Sequence, residues 1–107
     1  MSRTIPARGR IDFPRVASAA LANSETICRR WLPQGRMDGN EWVALNPKRP
    51  DHRLGSFKVN LATGRWGDFA DGAAGGDLIS LAAYLFGMRQ RDAAIRVAEM
   101  VGTSPYA

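Results

Sequence analysis

Three aspartates, one histidine and one cysteine are the side chains here whose chemistry could go beyond packing and solvation. Asp68, Asp71 and Asp77 stand close enough in sequence to gather a magnesium ion through oxygen ligands. A hairpin end and a helix cap already account for their spacing, so no metal-dependent catalysis is expected of them. His52 has no serine or cysteine partner in a recognisable nucleophile and base pattern. Cys28 is the single cysteine, which excludes an internal disulfide and any zinc site built on several thiolates. Set between Ile27 and Arg29, it reads as a core or boundary residue. The two following arginines would activate an exposed thiol, but no nucleophilic motif surrounds it. The glycine-rich loop from Asp71 to Asp77 precedes a helix and has amides that could meet a phosphate. It lacks the Gly-Lys-Ser/Thr ending of a nucleotide loop, and Asp77 puts a carboxylate where the anion would sit. No catalytic residue, cofactor or small-molecule substrate is therefore expected.

The cations point elsewhere. Among 107 residues there are thirteen arginines and two lysines, with a net charge of +5. Arginine's planar fork grips phosphate bidentately and stacks on bases, so an anionic partner, nucleic acid first, fits this balance. Lys48, Arg49 and Arg53 fall in one loop, Lys58 on the polar face of a strand, and Arg65 at the start of its hairpin partner. These five can form one patch, with Trp66 as the candidate for base stacking. The alternatives are an ordinary solvated surface for the cations and a core position for Trp66. Arg3, Arg8 and Arg10 can add phosphate contacts without sequence preference.

The elements that must position these residues follow from periodicity. Residues 1–10 have no apolar rhythm and read as a flexible basic arm. Asp12 caps a helix that tolerates Pro14 in its first turn and runs through Val16, Ala20 and Leu21. A second helix, with Ile27, Cys28, Trp31 and Leu32 on one face, stops at Pro33. Residues 34–40 read as loop, residues 41–45 as a strand and residues 46–55 as loop. Residues 56–61 alternate cleanly, turn at Ala62-Thr63-Gly64 and return as residues 65–69. Asp77 then caps a helix whose buried stripe is Leu78, Leu81, Ala82, Leu85 and Phe86, ended by Gly87. A last helix over residues 90–101 buries Ala94, Ile95, Ala98 and Val101 and stops at Gly102. The expected fold is α+β, a small antiparallel sheet with helices before it and two after. One domain over residues 11–102 is expected, with residues 103–107 as a tail or linker. No apolar run approaches the roughly 20 residues of a membrane span, and a soluble, cytoplasmic protein is the expectation.

Taken together, Trp42-Val43-Ala44-Leu45-Asn46-Pro47, Gly55-Ser56-Phe57-Lys58-Val59, the hairpin from Gly64 to Phe69 and Gly75-Gly76-Asp77-Leu78-Ile79 resemble the zinc-ribbon domain that opens bacterial and phage-type DNA primases. The resemblance covers Trp42 to Val101. It places Asn46 and Arg49 at the family's Cys-x-x-His positions and Asp68 and Asp71 at its Cys-x-x-Cys positions, with His52 a competing match for the histidine. Such a ligand set holds zinc weakly, since structural sites rely on thiolates and neutral imidazoles, so a degenerate, metal-free zinc ribbon is expected. Arg49 held between Asp68 and Asp71, with Asn46 completing the cluster, would be a physical substitute for the metal. The alternative is that Asp68 and Asp71 are solvated turn residues. In either case the rigidity a metal would supply has to come from an aromatic core of Trp42, Phe57, Trp66 and Phe69 and from the long helix that starts at Asp77.

The resemblance implies a non-catalytic module of a primase or primase-helicase from a phage, plasmid or other mobile element. It would hold template single-stranded DNA, or RNA, while a primase catalytic domain elsewhere makes primer. The alternative is an interaction module that lost DNA binding along with zinc and docks on a helicase or on a polymerising domain.

Overall fold

The computed structural model describes residues 9–48 and 55–107. Asp12 opens helix α1, Phe13–Leu21, by accepting the Arg15 amide at 3.0 Å, and Pro14 sits in the first turn, where its missing N–H is harmless. Helix α2, Ser24–Trp31, buries Ile27 and Cys28 and ends before Pro33. The Ser24 hydroxyl donates to the Leu61 carbonyl at 2.8 Å and ties the start of α2 to the sheet.

Residues 34–40 are more ordered than a loop. β1, Arg36–Asp38, pairs antiparallel with β2, Glu41–Ala44, across a two-residue connection in which Gly39 has φ +61°. A Gly-Asn connection between extended residues is a hairpin signal. β3, Phe57–Asn60, β4, Trp66–Asp68, and a short β5, Ala74–Gly75, complete a sheet of order β1-β2-β3-β4-β5, antiparallel throughout. The β3–β4 turn is held by Asn60, whose Oδ1 accepts the amides of Ala62 and Thr63 at 2.8 and 3.0 Å. Gly64 closes it at φ +83°.

Helix α3, Leu78–Phe86, starts with a capping box in which Asp77 accepts the Ser80 amide and Ser80 reaches back to the cap, satisfying donors the helix leaves orphaned. Helix α4, Gln90–Val101, ends at Gly102 in the left-handed conformation. It buries Ala93, Ala94, Val97 and Ala98, while Ile95 and Val101 stay only half-buried. In the last turn of α3 the expected stripe opens, with Leu85 half-buried and Phe86 52% exposed. None of these helices is long and apolar enough to cross a membrane.

The register sorts the sheet into two faces. Trp42, Val59, Trp66 and Gly75 form one cross-strand row, and Ala44, Phe57 and Asp68 the next. Both rows turn toward the helices and join Val16, Ile27, Leu78, Leu81 and Val97 in one apolar core. Val43, Lys58, Gly67 and Ala74 form the intervening row on the opposite face, as the two-residue period of a strand requires.

The last residues depart from the expected tail. Ile11 bridges Tyr106, the Asp12 amide donates to the Pro105 carbonyl at 2.8 Å, and the Ala107 amide donates to the Arg10 carbonyl at 3.0 Å. The Arg15 guanidinium adds a bond to the Tyr106 carbonyl at 2.7 Å. Residues 105–107 thus belong to the folded body. A backbone segment near Ile11 offers them pairing partners that no local pattern in the sequence reveals.

Candidate functional site

Two groups of the residues singled out above come together, on opposite faces of the sheet. On the inner face, Asn46 follows Ala44 by two residues and Asp68 follows Trp66 by two, so strand alternation sends both toward the helices. Each is 2% exposed. The Asn46 amide donates to Asp68 Oδ2 at 2.7 Å and to the Tyr84 hydroxyl at 2.8 Å, while its Oδ1 accepts the Lys48 amide at 2.9 Å. Asp68 Oδ1 accepts the Ala70 amide at 2.9 Å. Buried polar groups need such partners. The cluster therefore joins the β2–β3 loop, the end of β4 and helix α3.

Of the expected cluster, Asn46 and Asp68 meet directly. Arg49, Arg53 and His52 lie outside the described residues. Asp71 is exposed, and its Oδ1 accepts the Ala73 amide at 2.9 Å, an arrangement typical of a turn. Among the described residues no group of three or more His, Cys, Asp or Glu is placed to hold a metal ion. Cys28 is buried, and burial pushes its thiol up from 9.0 to about 12, so the neighbouring arginines do not activate it.

Lys48 is exposed, but its ammonium is held at the end of α3. It donates to the Tyr84 carbonyl at 2.8 Å and stands 5.2 Å from the Tyr84 ring. A cation there satisfies a carbonyl that the helix end leaves open and complements the helix dipole. Tyr84 was not singled out in the sequence. Its signal is spacing: it lies four residues after Ser80, on the same side of α3, and both side chains meet Trp66.

Trp66 belongs to the core. It is 6% exposed, its Nε1 donates to the Ser80 hydroxyl at 2.9 Å, and its ring lies 4.9 Å from Tyr84 and 6.1 Å from Phe57. Sheet parity points the indole inward, the core position of the two places that the sequence left open for it. Phe69 corrects an expectation. It is 79% exposed rather than in the core. It lies three positions after Trp66, so along an extended strand the two rings must face opposite ways.

The outer face of the sheet is where Lys58, Arg65 and Phe69 meet. They line an open hollow of about 380 Å³ with Glu41, Asn60 and Thr63. Lys58 Nζ stands 5.9 Å over the Phe69 ring and 3.9 Å from Glu41 Oε1. Arg65 is exposed. In the same cross-strand row as Lys58, Arg36 pairs with Val43, which pairs with Lys58, so a third cation shares this face. Arg36 was hidden because β1 was read as loop; the Gly39-Asn40 turn is the signal that would have found it.

Comparison with protein-family models and with curated proteins finds no match. Among solved structures, the chain is similar to the crystal structure of the Aquifex aeolicus primase (zinc-binding and RNA polymerase domains). That match has a TM-score of 0.69 at 19% sequence identity, over 86% of this chain and 22% of the primase chain. The chain thus spans about a fifth of that protein. What the two share is a fold, and this α+β domain is primase-like in architecture.

Proposed function

We propose that this domain is a non-catalytic nucleic-acid-binding module of a primase or primase-helicase, of the kind found in phages and other mobile elements. It corresponds to the zinc-binding part of such an enzyme, with a hydrogen-bonded cluster at Asn46 and Asp68 in place of the metal. Its ligand is single-stranded DNA or RNA, held along the outer face of the sheet.

The observation that carries this reading is the meeting of Lys58, Arg65 and an exposed Phe69 in one open hollow, with Arg36 two strands away. Single-strand binding surfaces combine cations that track phosphates with flat side chains that take bases.

A labelled single-stranded oligonucleotide of about 20 nucleotides tests the proposal by fluorescence anisotropy. Low-micromolar binding at low salt is expected, weakening with a log–log slope of about −0.7 for each phosphate neutralised. Lys58→Glu with Arg65→Glu should remove it. Absence of binding by the intact protein at low salt would overturn the reading and favour the rival one, a protein-interaction module. That rival draws support from the open apolar side chains of the helical side, Phe86 above all.

A further inference from the structure

The helical side of the molecule carries an apolar groove that plays no part in the sheet-face reading. Its walls are α2, which contributes Trp31 and Arg30, and α4, which contributes Arg96 and Met100; Phe86 and Met88, at the end of α3, complete it. The hollow has a volume of about 630 Å³. A second hollow of about 160 Å³ adjoins it and shares Arg30 and Met100, so the groove continues along the line between α2 and α4. Phe86 is half exposed, and its ring meets Trp31 edge to face at 5.6 Å.

We propose that this groove docks an acidic amphipathic helix of a partner protein. Two observations select that occupant. The charged side chains that line either hollow are Arg30 and Arg96, one on each wall, with no carboxylate among the lining residues. Arg30 makes no ion pair among the described residues, and Arg96 reaches only Glu99 on its own helix, at 3.7 Å with both side chains largely exposed. A segment that is apolar on one side and acidic along both edges matches this distribution. The second observation is the lining itself. Met88 and Met100 are unbranched and adaptable, as in grooves that accept helices through apolar anchors at i, i+3, i+4 and i+7. Trp31 and Phe86 stand at 85° to each other. That geometry offers an edge and a wall rather than the parallel platform on which successive bases stack, so nucleic acid fits this groove less well than a helix.

Trp42 and Trp66 are buried while Trp31 is half-buried, so a change in tryptophan emission reports chiefly on this groove. The probe is a synthetic peptide of about 16 residues with leucines at the four anchor positions and glutamates flanking them, compared with an otherwise identical peptide carrying lysines. The full chain should bind the acidic peptide at least tenfold more tightly than the lysine peptide. Arg30→Glu with Arg96→Glu should reverse the preference, and Phe86→Glu, at an exposed position, should weaken both peptides with the circular dichroism spectrum unchanged. Equal affinity for the two peptides, or indifference to the arginine reversal, would overturn the proposal. So would displacement of the acidic peptide by a single-stranded oligonucleotide, or self-association in sedimentation that Phe86→Glu abolishes, since each assigns the groove another occupant. Oligonucleotide binding by the Lys58 and Arg65 face is measured separately, so either reading can fail without the other.

Discussion

The side-chain amide of Asn46 donates to the carboxylate of Asp68 at 2.7 Å, across 22 positions of sequence and between groups that are each 2% exposed. A charge-assisted bond in a dry site is among the stronger side-chain interactions. Removing the donor should cost far more than removing a surface polar group. Asn46→Ala is expected to lower stability by about 1–3 kcal/mol, read from urea unfolding at neutral pH. Tyr84→Phe, which deletes one bond but leaves the Asn46 to Asp68 contact, should cost about 1 kcal/mol. Equal, negligible effects of the two would mean that the cluster does not hold the loops.

Phe69 and Trp66 should separate binding from stability. Phe69→Ala removes an exposed ring and should weaken single-strand binding by about 1–3 kcal/mol, the usual worth of one base-stacking contact, with the unfolding midpoint unchanged. Trp66→Ala removes a ring from the core and should cost about 3–5 kcal/mol of stability. Anisotropy titrations beside denaturant curves for both variants decide whether the roles fall this way.

Gly75 lies against Trp66 and Ser80. A Cβ there would collide with the indole nitrogen and the Ser80 hydroxyl, two atoms already bonded to each other at 2.9 Å. Gly75→Ala should cost about 1–3 kcal/mol, as overpacking does, and should perturb tryptophan emission. Gly76→Ala, where an added Cβ meets nothing within 4 Å, is the control and should stay within about 0.5 kcal/mol of the parent.

Burial holds the Cys28 thiol up at about 12 against an ordinary 9.0. Below pH 9.0 the thiol is neutral in both the folded and unfolded chains and contributes no pH dependence. Above it the unfolded chain ionises first, so this contribution to stability falls as pH rises toward 12. Cys28→Ala should flatten that part of the stability profile, although the lost methyl-sized volume lowers stability overall. In the native protein at pH 8, an aromatic disulfide reagent should label Cys28 only as fast as the chain unfolds.

Local pattern was enough for much of this architecture. The β3–β4 hairpin follows from strict alternation and a glycine that accepts positive φ, α3 from an aspartate before a periodic apolar run, and both C-terminal helix ends from glycines. These features are decided within a few residues, where backbone sterics and capping dominate. The α+β class and the primase-like order of elements follow from their succession.

What the tertiary structure decided is everything that depends on which face a side chain meets and what lies across from it. Trp66, for which a core and a stacking place were both open, packs inside, and Phe69, expected in the core, stands outside, because the register of β4 points one inward and the other out. Lys48 left the expected basic patch because the end of α3 offers its ammonium a carbonyl. Asn46 and Asp68, read as candidates for a cluster with Arg49, meet each other and Tyr84, a residue on a helix that only folding brings to them. Residues 105–107 joined the body because the chain near Ile11 presents them with backbone partners. Residue types and spacing set which chemistry the chain could carry, and a two-residue strand period combined with long-range pairing determined which of those side chains stand together.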